Sequence, residues 1–206
     1  MLAWDLPGHG YNRGVPDDAF TMAELATGVL RVVDEVLVQR LELGSELGHG
    51  AGGPFAYAGV SVGGAVGLQL LLDVPDRVAG AVLLCTGAKL GDSERWADRI
   101  DQVTAAGTSD LVSASAELWF APGFLDARPE VGSALLKALA GTADAGYVLV
   151  CRALAAYDVR DRRSRRARIC PFCQSPSHAQ GVETLDGRDA TGGESFRLPS
   201  VVNPSR

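Results

Sequence analysis

After Thr21, apolar residues recur at Leu25, Val29, Leu30, Val33, Val36 and Leu37, the spacing of one helical face. Thr21 is a suitable N-cap and Glu24, three residues on, completes a capping box, so the pattern predicts an amphipathic helix over about residues 22–41. Phe55 to Val60 is a short apolar run after a Gly/Pro-rich loop and reads as a buried strand. Gly63 to Leu72 is small and apolar on almost every side, as suits a central helix packed under a sheet. Ala81 to Cys85 reads as another apolar strand. This strand–helix–strand alternation predicts the α/β class, with a parallel sheet and crossover helices. Met1-Leu2-Ala3-Trp4-Asp5 reads as the end of a buried strand, and Leu6-Pro7-Gly8-His9-Gly10 as the loop that follows it.

From about Asp92 to Tyr157 helical periodicity dominates, broken at Gly107-Thr108, Pro122-Gly123 and Gly141-Thr142, which predicts a helical insertion. After Asp161 the run Arg162-Arg163-Ser164-Arg165-Arg166-Ala167-Arg168 opens a polar Gly/Ser/Pro-rich stretch with neither period. Such a stretch buries too little apolar area to offset its ordering entropy, so disorder is expected over residues 162–206. The expected organisation is a partial α/β core at 1–91, helices at 92–161 and a tail at 162–206.

Composition narrows the picture in a few places. A net charge of -6 speaks against nucleic acid as a partner, because a phosphate binder needs a basic face. No run of about 18 apolar residues is present, so no membrane span is expected. The first residues carry no charged n-region, which argues against a signal peptide. Four cysteines without a framework spacing fit a reducing, cytoplasmic setting.

Candidate chemistry centres on Gly59-Val60-Ser61-Val62-Gly63, a G-x-S-x-G pentapeptide between a predicted strand and a predicted helix. In a nucleophile elbow the serine sits on a tight, strained turn, and small residues two before and two after let strand and helix approach. Ser61 is then the candidate nucleophile. The Val62 backbone N–H, at the positive end of the helix, is the candidate oxyanion donor. A second segment, Asp5-Leu6-Pro7-Gly8-His9-Gly10, looks like a loop common in α/β-hydrolases, in which His9 packs the loop and is not the catalytic base.

Further residues make the resemblance more specific. Ser61-Val62-Gly63-Gly64-Ala65-Val66-Gly67, Val74-Pro75-Asp76-Arg77-Val78 and Leu83 to Gly91 are similar to the 3-oxoadipate enol-lactonases of aromatic degradation. So are Trp96 to Ile100, Leu118-Trp119-Phe120-Ala121-Pro122-Gly123-Phe124, and the stretch from Gly146-Tyr147 to Asp161. The resemblance covers about residues 1–161 apart from a Gly-rich expansion at 44–54. It implies an α/β-hydrolase fold and a Ser–His–Asp site that opens an enol-lactone ring without metal or organic cofactor. The expected partner is a small lactone or ester, and the helices over 92–157 become a lid. Trp119 is then either a lining residue of the substrate pocket or an aromatic of the lid's own core.

The same resemblance implies parts that this stretch of sequence does not display: a His-Gly-Gly oxyanion loop, early strands, and an acid and a histidine after later strands. His49 lies in a glycine loop, and His178, in Ser175-Pro176-Ser177-His178, stands in no matching context. The codons behind Ile169 to Gln174, read one frame over, force Leu or Met, then Pro or Ser, then an apolar residue, then Leu, then Ser or Pro, a run compatible with the strand expected just before the acid. The hypothesis that follows is a frameshift near residue 162, which would make Cys170-Pro171-Phe172-Cys173 an accident rather than a metal or redox pair. Little or no lactonase activity is therefore expected of the 206-residue chain. The alternatives are another cofactor-free α/β-hydrolase, an esterase or C–C bond hydrolase, or a non-catalytic remnant of the fold. Dinucleotide binding at Gly48-His49-Gly50-Ala51-Gly52-Gly53 fits poorly, because there the helix precedes and the strand follows.

Overall fold

The computed structural model describes residues 1–42 and 50–162. His49, His178 and the Cys170–Cys173 pair, with the expectations attached to the tail, lie outside the described residues. Helix α1 runs Met22–Glu42, strand β1 Phe55–Val60, helix α2 Val62–Asp73 and strand β2 Val78–Leu84. Five further helices follow: α3 Ser93–Ala106, α4 Val112–Trp119, α5 Phe124–Ala127, α6 Pro129–Ala140 and α7 Asp144–Ala156. A 3-10 turn at Thr108–Leu111 leads into α4.

The start of α1 follows from its capping box. Thr21 N–H donates to Glu24 Oε2 at 2.8 Å, and Glu24 N–H donates back to Thr21 Oγ1 at 3.2 Å. Two otherwise unbonded donors of the first turn are satisfied in this way, and the bond from the Thr21 backbone lowers the Glu24 pKa. Met22, Leu25, Ala26 and Val29 form the buried stripe.

β1 and β2 pair in parallel, from Ala56 opposite Gly80 to Val60 opposite Leu84, with an irregularity after Phe55. The pleat gives the sheet two faces. Tyr57, Gly59, Ala81 and Leu83 turn inward, where α2 packs against both strands. Ala56, Ala58, Val60, Val82 and Leu84 turn outward and are exposed, Val60 by 57% and Val82 by 54%. Strands apolar on both faces are the mark of a parallel sheet meant to be covered on both.

α2 is the hub of the core. Every residue from Gly64 to Leu71 is buried. One apolar cluster joins Ala65, Leu68 and Leu70 to Leu25 and Val29 of α1 and to Val150, Ala153 and Leu154 of α7. The helical region thus has two allegiances. The far end of α7 belongs to this core, whereas Val103, Leu111 and Leu139 make a second, smaller cluster. The helix breaks fall at Gly107, Pro122-Gly123 and Gly141-Thr142, where the sequence places them.

Residues 1–5 correct an expectation: they form no strand, and Met1 and Leu2 are exposed. A strand exists only through its ladder of bonds, and no described neighbour pairs with this segment. The loop after it is tightly held. Gly8 accepts the Ala143 N–H at 2.9 Å, and its Cα lies so close to Gly146 that a Cβ on either residue would stand under 3 Å from the other backbone. No single described helix is long and apolar enough to cross a membrane.

One polar node ties α1 to the strands. Arg77 Nη2 donates to Asp34 Oδ1 at 2.5 Å, Arg77 Nε donates to the Gly53 carbonyl at 3.0 Å, and Gly52 N–H donates to the same Asp34 oxygen at 3.0 Å. The Gly52 N–H first, and then Arg77, hold the Asp34 carboxyl below its ordinary pKa against the opposing effect of burial. Stability from a depressed carboxyl is present above its unfolded pKa and lost as pH falls through the folded one. Asp34→Asn should therefore cost about 1 kcal/mol at neutral pH. In thermal melts across pH 7 to pH 3 the gap to the unsubstituted chain should close below about pH 4.

Candidate active site

Ser61 is the single residue between β1 and α2. Its N–H donates to the Leu84 carbonyl at 2.8 Å, which extends the β1–β2 ladder by one bond. Its own carbonyl accepts from Ala65 N–H at 3.0 Å, which begins the helix. Serving both elements leaves it with φ 53° and ψ -115°, a left-handed conformation that costs a residue bearing a Cβ of order 1–3 kcal/mol. An N-cap serine usually bonds the helix's first free N–H groups. Here the Ser61 side chain makes no such bond, and the residue is exposed. Val62, half-buried, is the first residue of α2, so its N–H has no carbonyl within the helix to meet.

The glycines explain how the turn closes, and one of them differs from expectation. A Cβ on Gly59 would stand 2.3 Å from the Gly63 carbonyl oxygen, so strand and helix meet here backbone to backbone. A Cβ on Gly64 would stand 2.6 Å from the Thr86 side chain, and one on Gly67 2.4 Å from the Tyr57 ring, so both need to be small. Gly63 is the exception, since a Cβ there would enter open space. Its carbonyl, rather than its missing side chain, is the group that demands room.

Around the elbow the structure gathers residues that the motif does not name. Cys85, next after Leu84 on the neighbouring strand, is a free, exposed thiol with φ 51°. The following Thr86 has a buried Oγ1 with no hydrogen-bond partner among the described residues. Tyr57 Oη donates to the Gly63 carbonyl at 2.7 Å, and burial pushes the phenol up to about 12. A polar-tipped ring on an otherwise small, apolar strand was the available sequence signal for Tyr57.

Other candidates lie apart from the elbow's contacts. His9 Nδ1 bonds the Pro7 carbonyl at 2.9 Å and its ring stacks on Tyr147, with centroids 6.3 Å apart, so it packs its loop. It is the only histidine among the described residues. Trp119 ends α4 with 50% of its surface exposed and joins neither apolar cluster. At the end of this short helix the residue is half in water. Two cavities open in the helical region, one of about 530 Å³ between residues 104–109 and 140–144, the other of about 430 Å³ beside Ala116, Phe120 and Leu125. Neither Ser61 nor Trp119 lines them.

A parallel sheet, a strained serine at the carboxyl end of a strand and a helix starting at that serine define a hydrolase-type elbow. The chain belongs to the alpha/beta hydrolase family, which matches residues 1–190. That match runs past residue 161, where the residue-by-residue resemblance ends. The chain is similar to 3-oxoadipate enol-lactonase 2 of Acinetobacter baylyi, 28% identical over 165 residues that make up 80% of this chain and 56% of that protein. It is 26% identical over 162 residues to 3-oxoadipate enol-lactonase 1 of the same organism, 79% of this chain and 55% of that one. Among solved structures, the enol-lactonase from Burkholderia xenovorans LB400 superposes with a TM-score of 0.66 at 25% identity, over 77% of this chain and 55% of that one. A hydrolase from Pseudomonas aeruginosa PA01 gives 0.63 at 29% identity, over 76% and 54%. The chain thus spans about half the length of these relatives.

Three substitutions separate the parts of the elbow. Gly59→Ala should destabilise by about 2 kcal/mol or more, because the clash is with backbone that cannot rotate away. Ser61→Gly should raise thermal stability by about 1 kcal/mol, since glycine adopts this φ without strain, whereas Ser61→Ala should not. Thermal melts of the three variants check both.

Proposed function

We propose that this chain carries the nucleophile half of a serine hydrolase site that acts on a lactone or ester, with an enol-lactone as the substrate class. The observation that carries the reading is Ser61 itself. Its hydroxyl is spared from capping and exposed at the carboxyl end of β1, one residue before a free helical N–H. Likeness to enol-lactonases over most of this chain, at 25–28% identity, supports the substrate class.

In this reading Ser61 Oγ attacks the lactone carbonyl carbon and its proton passes to a base. The oxyanion that forms faces the Val62 N–H, where the first turn of α2 adds its positive end. The ring C–O bond breaks, and the enolate departs as a stabilised leaving group that remains tethered to the acyl chain. Water then attacks the acyl-enzyme and restores the hydroxyl. No metal or organic cofactor enters this scheme, and no nucleic-acid or membrane partner. A cytoplasmic location agrees with the substrate class.

The described residues supply the nucleophile and one oxyanion donor. His9 is committed to Pro7 and Tyr147, which favours a weakly active or non-catalytic chain. Loss of triad members commonly costs about 10⁴-fold or more in rate. We therefore expect little or no ring opening in a spectrophotometric enol-lactone assay. A fluorophosphonate probe should label the chain slowly, over hours, with the adduct on the peptide bearing Ser61 and none in Ser61→Ala. Absence of labelling, or an adduct elsewhere, would rule out Ser61 as nucleophile. Labelling within minutes would rule out the impairment instead.

A further inference from the structure

We propose that Tyr57 is a positioning residue for the elbow: its hydroxyl holds the Gly63 carbonyl and thereby fixes the direction of the Val62 N–H. The proposal rests on the reading of Ser61 and Val62 given above.

The first turn of α2 is poorly secured by its own sequence. Gly63 and Gly64 occupy it, each costing about 1 kcal/mol of helix propensity relative to alanine. Ser61 provides no capping bond, and no acidic side chain stands in the turn to favour its N–H groups. A Gly63 Cβ would meet nothing, so this residue gains little from side-chain packing. Left to these terms, the turn that carries the oxyanion donor would fray.

Two residues on the inward face of β1 act on one atom of that turn. Gly59 leaves the space into which the Gly63 carbonyl oxygen sinks, and Tyr57, two residues earlier on the same face, donates its hydroxyl to that oxygen at 2.7 Å. The Tyr57 ring lies flush against Gly67, one helical turn on, so the hydroxyl is delivered from a fixed platform. The plane of the Gly63 peptide is then pinned to β1. That carbonyl belongs to the Gly63–Gly64 peptide, two peptide units on from the Val62 N–H, and the helical backbone of Val62 and Gly63 in the first turn of α2 links the donor's direction to it. Preorganised donors of this kind act because they do not reorient when charge develops.

Tyr57→Phe removes one oxygen and keeps the ring over Gly67. The test compares fluorophosphonate labelling, separated into probe affinity and the rate of covalent capture, with hydrogen–deuterium exchange of the peptide spanning residues 62–67. We expect capture about tenfold slower with probe affinity unchanged, and faster exchange confined to this turn while the melting temperature moves little. Tyr157→Phe is the control. Tyr157 also donates to an α2 carbonyl, that of Ala65, but at 3.4 Å and away from the crossover, and its removal should leave capture as it was. Unchanged capture in Tyr57→Phe, or an equal loss in the control, overturns the proposal. If neither the parent nor the variant labels, the nucleophile reading has failed, and unchanged exchange at residues 62–67 then overturns the clamp independently.

Discussion

Where β1 passes into α2 there is no side chain between strand and helix. The Gly63 carbonyl oxygen occupies the volume that a Cβ on Gly59 would claim, and the helix can lie this close only because that volume is vacant. Contact at this depth forces the chain to reverse within one residue. Ser61 absorbs the reversal with φ 53° and ψ -115°. The unusual backbone, the uncapped helix start and the outward hydroxyl are consequences of a single steric fact. The strain is offset by the burial of α2, every residue of which from Gly64 to Leu71 is shielded from water.

The elbow inherits its rigidity from the packing around it. α2 is gripped by the inward faces of β1 and β2 and by α1, and it shares its apolar cluster with the far half of α7. The Asp34–Arg77 node fastens α1 to the loop before β1 and to the residue that leads into β2. Thr86, two residues after the end of β2, fills the side of α2 that Gly64 leaves open. A serine on a loop would need its own supports. Here it borrows those of the core.

Much of this was legible from the amino-acid order, for identifiable reasons. The capping box at Thr21 and Glu24 is a local bonding pattern, and local patterns survive the change from chain to fold. The helix breaks at Gly107, Gly123 and Gly141 were readable because glycine and proline act on their own backbone. The α/β class followed from periodicity and from Ser61 in its flanking apolar runs. What escaped depends on distant partners. Residues 1–5 have strand composition, but ladder bonds require a neighbour that composition does not reveal. The demand on Gly63 was misplaced from side chain to carbonyl, because spacing shows which residue is small and not which atom is crowded.

The paired glycines at 8 and 146 carry a consequence for anyone who recombines this chain with its relatives. Each occupies space that the other's side chain would need, so the two sites are free to vary only as a couple. A chimera that exchanges the helices between residues 93 and 140 inherits the contact intact. One whose exchanged segment runs from these helices through residue 146 imports half of it, and must bring its matching N-terminal loop along.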